Sequence, residues 1–303
     1  ANNNTAICTC SMKCNTEGCQ NVAVGRAMGK NCCGSNSAAV GYLALDCNVD
    51  GSNNTAIGSQ ALNYTTTSNN TALGYAAAYC VTGCQNTAVG SLALRGGATV
   101  TGNCNTAIGM NALRDISAGV CRTVAIGNGA LYNFEGNNTV AVGTCAGANT
   151  TTANTNTFIG HFAAYTNTTG AYNTVMGRSV LYNNTCGSCN TAIGTDALGQ
   201  NTTASSNTAV GNCTLACNTT GALNVAVGAN ALLCNISSCS STAIGYNSLK
   251  VNTAASNTGV GKDSLEANTS GGNNTAVGAD ALAANTTASN NTAVGYRSLY
   301  TNT

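Results

Sequence analysis

A five-residue phrase, Asn54-Thr55-Ala56-Ile57-Gly58, returns in close variants along the whole chain. Its glycine falls at Gly25, Gly41, Gly58, Gly74, Gly90, Gly109, Gly127, Gly143, Gly160, Gly177, Gly194, Gly211, Gly228, Gly245, Gly261, Gly278 and Gly295. Cys8 holds that place in the first copy, which makes eighteen copies. Steps of 17 predominate, several are 16, and the spacing opens to 19 and 18 only around Gly109. One such unit is too short to bury a core. A fixed short period over 303 residues therefore restricts the chain to an architecture in which neighbouring units bury one core together. The expectation is a single elongated repeat domain, 1–303.

Counting from the glycine as zero, position −1 is always Ile, Val, Leu or Met, and position −2 is Ala in fifteen of eighteen copies. Position −3 is Thr or Val apart from Ala38, and position +4 is Leu in thirteen of the seventeen glycine-anchored copies. Two short strands per copy fit this pattern, one across −3 to −1 and one across +3 to +5. Positions −3 and −1 then share one face and −2 the other. The apolar −1 residues are expected to form the inward column: Ile57, Val89, Ile108, Ile126, Ile193, Val210, Val227, Ile244, Val277 and Val294. No segment keeps apolar residues at 3.6 spacing for three turns. The predicted fold is all-β: a β-solenoid (β-helix or β-roll) of about 18 coils of 16–19 residues. At about 4.8 Å per coil it would be roughly 85 Å long.

Asn occupies −4 in fourteen copies and +7 in eleven. Both columns read as ladders of amides that bond their like above and below and cap turn backbone. The +7 column also supplies Asn-x-Ser/Thr sequons at Asn167, Asn201, Asn218, Asn235, Asn268 and Asn285. If that turn faces water, these are candidates for covalent glycans.

Eighteen cysteines are present. Four pairs lie across one turn: Cys14 with Cys19, Cys80 with Cys84, Cys186 with Cys189, and Cys234 with Cys239. Cys104 and Cys121 sit one coil apart at nearly the same register, and Cys213 and Cys217 are another local pair. Structural disulfides, buried free thiols and a metal site are the three readings. Zinc usually needs a second Cys pair or a His, and the one histidine, His161, is far from Cys186-Gly187-Ser188-Cys189. No metal or cofactor is expected. Disulfides would imply an extracellular or particle-surface destination.

Charged residues make up 6% of the chain and the formal net charge is +1, which leaves no basic footprint for nucleic acid. No apolar run approaches the ~20 residues that cross a membrane. Asp196, Asp263 and Asp280 share the +2 register, but one histidine and scattered acids do not form a catalytic set. Enzyme activity is not expected.

Four copies read Val-Ala-(Ile/Val)-Gly: Val22-Ala23-Val24-Gly25, Val124-Ala125-Ile126-Gly127, Val140-Ala141-Val142-Gly143 and Val225-Ala226-Val227-Gly228. They resemble the head repeat of trimeric autotransporter adhesins. The wider Asn-Thr-Ala-Val-Gly-x-x-Ala-Leu pattern resembles repeats of viral and bacterial tail-fibre-like proteins. The resemblance implies left-handed β-rolls, three chains side by side, and host attachment.

Three functions follow as expectations. The first is a structural subunit of an extracellular filament, bonded to copies of itself. The chain starts inside a copy at Asn3-Asn4-Thr5-Ala6-Ile7 and stops inside one at Ser298-Leu299-Tyr300-Thr301-Asn302-Thr303, and a second chain set after the first would continue at a spacing of 16. Uncapped ends of this kind suit head-to-tail stacking. The second is the shaft of a tail fibre or trimeric adhesin. The third is an ice-binding solenoid, for which the −3 threonines would have to face outward in ranks.

Overall fold

The computed structural model describes residues 2–96 and 100–302. The chain forms two compact units, Ala1–Thr152 and Ala153–Thr303. Each carries nine three-residue strands, from Thr5–Ile7 to Val140–Val142 in the first and from Thr157–Ile159 to Thr292–Val294 in the second. Within a unit each strand pairs in parallel with the next in sequence, in the register of the repeat. Thr191, Ala192 and Ile193 face Thr208, Ala209 and Val210, and Val22, Ala23 and Val24 face Ala38, Ala39 and Val40. Each unit is thus a β-solenoid, and no helix occurs among the described residues. The expected half-coil ends include Ala1 and Thr303, which lie outside the described residues.

The expected inward column is reversed. Ile57, Ile108, Ile244, Val277 and Val294 are exposed, Val294 at 69%, whereas Val89, Ile126, Ile193, Val210 and Val227 are half-buried. The −2 alanines form the inward column instead: Ala56, Ala88, Ala107, Ala192, Ala209 and Ala276 are all fully buried. Strand alternation was anticipated correctly, but its inner and outer faces were exchanged. The physical reason is the width of the coil. The +4 leucines, among them Leu62, Leu94, Leu198 and Leu232, are also fully buried. They fill most of the narrow interior and leave room for a small side chain opposite; where Ala164 replaces the leucine, the larger Phe158 takes the −2 place and is fully buried. Burial of each leucine contributes roughly 1.5–3 kcal/mol.

The second expected strand is absent from the described residues; positions +1 to +6 form a turn. Non-glycine residues take a left-handed backbone there in alternation, as at Asp196 (φ 57°) and Leu198 (φ 50°). That conformation disfavours a Cβ by roughly 1–2 kcal/mol. Bonds between coils offset it. Asp196 N–H donates to Arg178 O at 3.1 Å on the preceding coil, and Leu198 N–H donates to Thr214 O at 3.0 Å on the following one. The alternating backbone aims successive amides in opposite directions along the stack while keeping the leucine inward. At zero, Gly194 has φ 125° and lies so close to the next coil that a Cβ would collide with the Gly211 carbonyl. Glycine meets both demands without strain; Cys8, in the first coil, takes the same place at φ 124° with a side chain.

Candidate functional surface

The coil closes its core with amides as well as hydrocarbon. In the second unit the +7 asparagines form a direct amide ladder. Asn184 Nδ2 donates to Asn167 Oδ1 at 2.6 Å, Asn201 to Asn184 at 2.8 Å, Asn218 to Asn201 at 3.1 Å and Asn235 to Asn218 at 2.9 Å. The ladder breaks at Asn252, whose Nδ2 donates to Ala254 O at 2.6 Å, and resumes from Asn268 to Asn252 at 2.7 Å and from Asn285 to Asn268 at 2.7 Å. The other Nδ2 groups also donate to a carbonyl three residues on, as Asn201 does to Ala204 O at 3.0 Å. The first unit has a short version, in which Asn48 donates to Asn31 at 2.8 Å. It stops where Thr65 takes the next place, and Asn48 Oδ1 is left without a partner.

The −4 asparagines work differently from the expected amide-to-amide ladder. In most, Oδ1 accepts a backbone N–H from the next coil and Nδ2 donates to a carbonyl of that coil; Asn70 Nδ2 instead bonds within its own coil, and Asn291 Nδ2 donates to Asn274 Oδ1 at 3.0 Å. Asn173 accepts from Asn190 N–H at 2.9 Å and donates to Gly187 O at 2.9 Å. One side chain thereby fixes two backbone groups of its neighbour, which buried backbone requires.

These ladders correct the glycosylation expectation. Asn167, Asn201, Asn218, Asn235, Asn268 and Asn285 are fully buried. The nitrogen that a glycan would need is a donor inside the coil, with no space for a sugar beside it. The exposed-turn premise fails because the +7 side chain points into the solenoid.

The cysteine pairs expected across one turn are not joined; all eighteen cysteines are free thiols. Cys14, Cys19, Cys80, Cys84, Cys104, Cys121, Cys186, Cys189, Cys213, Cys217, Cys234 and Cys239 are exposed or half-buried, not core residues. Three stand in a hydrogen-bonding column six residues before the glycine. Cys19 Sγ accepts Asn2 N–H at 3.4 Å, Cys121 Sγ accepts Asn103 N–H at 3.3 Å and Cys239 Sγ accepts Ala222 N–H at 3.3 Å. Serine does the same elsewhere, as where Ser205 Oγ accepts Ser188 N–H at 3.0 Å. A thiol there occupies a serine's place and caps its neighbour. Cys104 is one position out of register with Cys121, and its thiol donates to Gln85 Oε1 at 3.3 Å. Burial pushes the Cys80, Cys145 and Cys217 thiols up. Cys33 is pushed up to about 12, first by its hydrogen bond with Cys32 and then by burial and the Glu17 carboxylate.

The exchanged faces create a surface that the repeat pattern did not suggest. Thr174, Thr191, Thr208, Thr242, Thr258, Thr275 and Thr292 form an outward rank in the second unit, interrupted by Val225 between Thr208 and Thr242. Beside it runs the rank Ile193, Val210, Val227, Ile244, Val260, Val277 and Val294. Neither rank carries a charge, and successive strands hold both in register. Ala holds −2 in fifteen of eighteen copies, whereas −1 is shared mainly by Val and Ile, and that was the available signal: a position of nearly constant size is packed, a position of variable size is open.

Of the three +2 acids, Asp263 is held by Lys262 Nζ at 2.9 Å and by Asn247 Nδ2 at 3.1 Å, and Asp196 lies 3.6 Å from Arg178 Nη2. The carboxyl of Asp263 is occupied by a cation and an amide, not by a second acid. Lys262 is raised first by the hydrogen bond it donates to Asp263 and then by that carboxylate's charge. No group of three or more His, Cys, Asp or Glu able to hold a metal occurs among the described residues, and no helix is long and apolar enough to cross a membrane.

No protein-family model matches the sequence, and no curated protein matches it. What the chain can be said to be is what its own geometry shows: a tandem-repeat β-solenoid.

Proposed function

We propose that this protein is a structural fibre subunit, with copies stacked coil on coil in an extracellular or particle-surface filament. The buried asparagine ladder carries this reading. Each coil bonds near-identical coils above and below through backbone and side chain, so a further copy can extend the stack by the same bonds, as an open heterologous contact does. The outward Ile/Val ranks support lateral packing of such stacks, including a trimer, because a contiguous apolar strip of this kind marks an interaction surface. The free thiols withdraw the redox argument for the extracellular placement, which rests on the resemblance to adhesin and fibre repeats. Electron microscopy of the purified chain tests the proposal. Filaments of indefinite length support it, rods of one fixed length favour a tail-fibre or adhesin shaft, and isolated single chains overturn both. Val210→Lys should reduce lateral association without unfolding the coil.

The outward threonine rank favours a second reading, an ice-binding face. The hydroxyls of Thr174, Thr191, Thr208 and Thr242 have no hydrogen-bond partner among the described residues. Thr174, Thr191 and Thr208 repeat at strand spacing, about 4.8 Å, and Val225 stands between Thr208 and Thr242, beside a rank of methyl groups. Thermal hysteresis by the wild-type chain, lost on Thr208→Lys, would support this reading, and growth of ice at the equilibrium freezing point would end it.

A further inference from the structure

In the second unit, successive coils present very different side chains five residues after the glycine: Tyr165, Tyr182, Gly199, Ala216, Leu233 and Lys250. The rings of Tyr165 and Tyr182 stack, with an interplanar angle of 17° and centroids 5.3 Å apart. Phe162 braces both edge-on, at 5.2 Å from Tyr165 and 6.1 Å from Tyr182. Tyr165 covers one face of the Tyr182 ring. The next place in the stack on the other side belongs to Gly199, which has no side chain. A groove of about 360 Å³ opens there, with Tyr182, Gly199, Ser179, Asp196, Gln200 and Cys217 in its wall. Ligand pockets begin at about this volume.

We propose that this groove binds one neutral pyranose ring, seated as the next rung on Tyr182 in the place of the missing side chain. Two strand spacings, roughly 10 Å, separate the Tyr182 and Ala216 positions. That admits a single ring in contact on both sides. The face of a tyrosine ring is electron-rich and attracts the polarised C–H bonds on one face of a pyranose. The ring's hydroxyls need partners once they leave water, and the wall supplies them. Asp196 offers a carboxylate already oriented by Arg178 at 3.6 Å. Gln200 Oε1 is fixed by Asn183 Nδ2 at 2.8 Å and has a second lone pair free to accept. Ser179 can donate or accept. The Arg178–Asp196 pair leaves the rim without net charge, which suits a neutral ligand. This inference does not depend on the fibre reading, since it concerns one face of a single chain.

The test uses the full chain and three probes: methyl β-D-glucopyranoside, methyl α-D-mannopyranoside and methyl β-D-galactopyranoside. Saturation-transfer NMR should show binding of at least one, with Kd on the order of 1 mM and the strongest transfer on the C–H protons of one ring face. Gly199→Leu fills the groove. Leu233 and Tyr182 show that the register accepts a large side chain, and a Cβ at Gly199 would meet Asp196 O at 3.2 Å, a tight contact that a shift of a few tenths of an ångström relieves. This variant should lose binding at least tenfold with its melting temperature unchanged. Tyr182→Ala should do the same by removing the platform, and Asp196→Asn should weaken binding severalfold. The proposal is overturned if no probe shows transfer to the wild-type chain. It is also overturned if Gly199→Leu and Tyr182→Ala both bind as the wild type does, or if adenosine binds and the pyranosides do not.

Discussion

Asn201→Ala is the most informative single change in the buried ladder. Asn201 is fully buried. Its Nδ2 donates to Asn184 Oδ1 at 2.8 Å and to Ala204 O at 3.0 Å, and its Oδ1 accepts Asn218 Nδ2 at 3.1 Å. Truncation removes all three bonds but does not orphan all three partners. Ala204 O keeps Asn190 Nδ2 at 2.9 Å, and Asn218 Nδ2 keeps Gly221 O at 3.0 Å. Asn184 Oδ1 is the group left buried and unpaired, at about 1–3 kcal/mol. Two further lost bonds add roughly 1 kcal/mol each, less whatever a water recovers. The expected destabilisation is about 3–4 kcal/mol. Because a solenoid need not unfold in one step, the assay is native-state amide exchange across the flanking coils. Asn212→Ala, at an exposed position of the next coil, serves as the control and should change exchange by less than about 0.5 kcal/mol. Equal effects of the two substitutions would refute the ladder as a source of stability.

Ile193→Asp, at an outward half-buried position, should cost within about 1 kcal/mol, whereas Ala192→Asp, one residue earlier and fully buried, should exceed about 4 kcal/mol. Thermal melts of the two decide which face is inside. In a glycosylating host, peptide mass mapping should find no glycan on Asn167, Asn201, Asn218, Asn235, Asn268 or Asn285. Cys33 should make the fold alkali-sensitive. Its thiol is raised from 9.0 to about 12, so below 9.0 both folded and unfolded chains hold the proton and stability is complete. Between the two values the unfolded chain ionises first and stability falls. Melting temperatures over that window should drop more for the wild type than for Cys33→Ser. A parallel decline in both would dismiss the effect.

The period, the strand at −3 to −1 and the register between copies were legible because they depend only on repetition and β-branching. The inner face was not read correctly, since Ile57 is more hydrophobic than Ala56 and hydrophobicity was taken to decide. Packing volume decided instead: Leu62 and its equivalents already occupy the interior. The turn was misread for a different reason. Leucines such as Leu198 carry no sequence mark of a left-handed backbone, which exists only because the coils on both sides bond its amides. The groove beside Tyr182 was invisible until the coils were stacked, because Gly199 looks like any turn glycine along the chain.

The inter-coil ladder also bears on how the protein is made. Cross-coil hydrogen bonds join residues about one repeat apart in sequence: 14 from Asn173 to Gly187, 17 from Asn201 to Asn184 and 19 from Asn105 to Asn86. Among the described residues no segment waits for a distant partner, so closure entropy stays small at each step. A ribosome adding about 5–20 residues per second would release a coil every second or few. Each new coil could dock on the one before it as it emerges. The chain can then be laid down from one end like courses of brick, with only the newest coil unprotected at any moment.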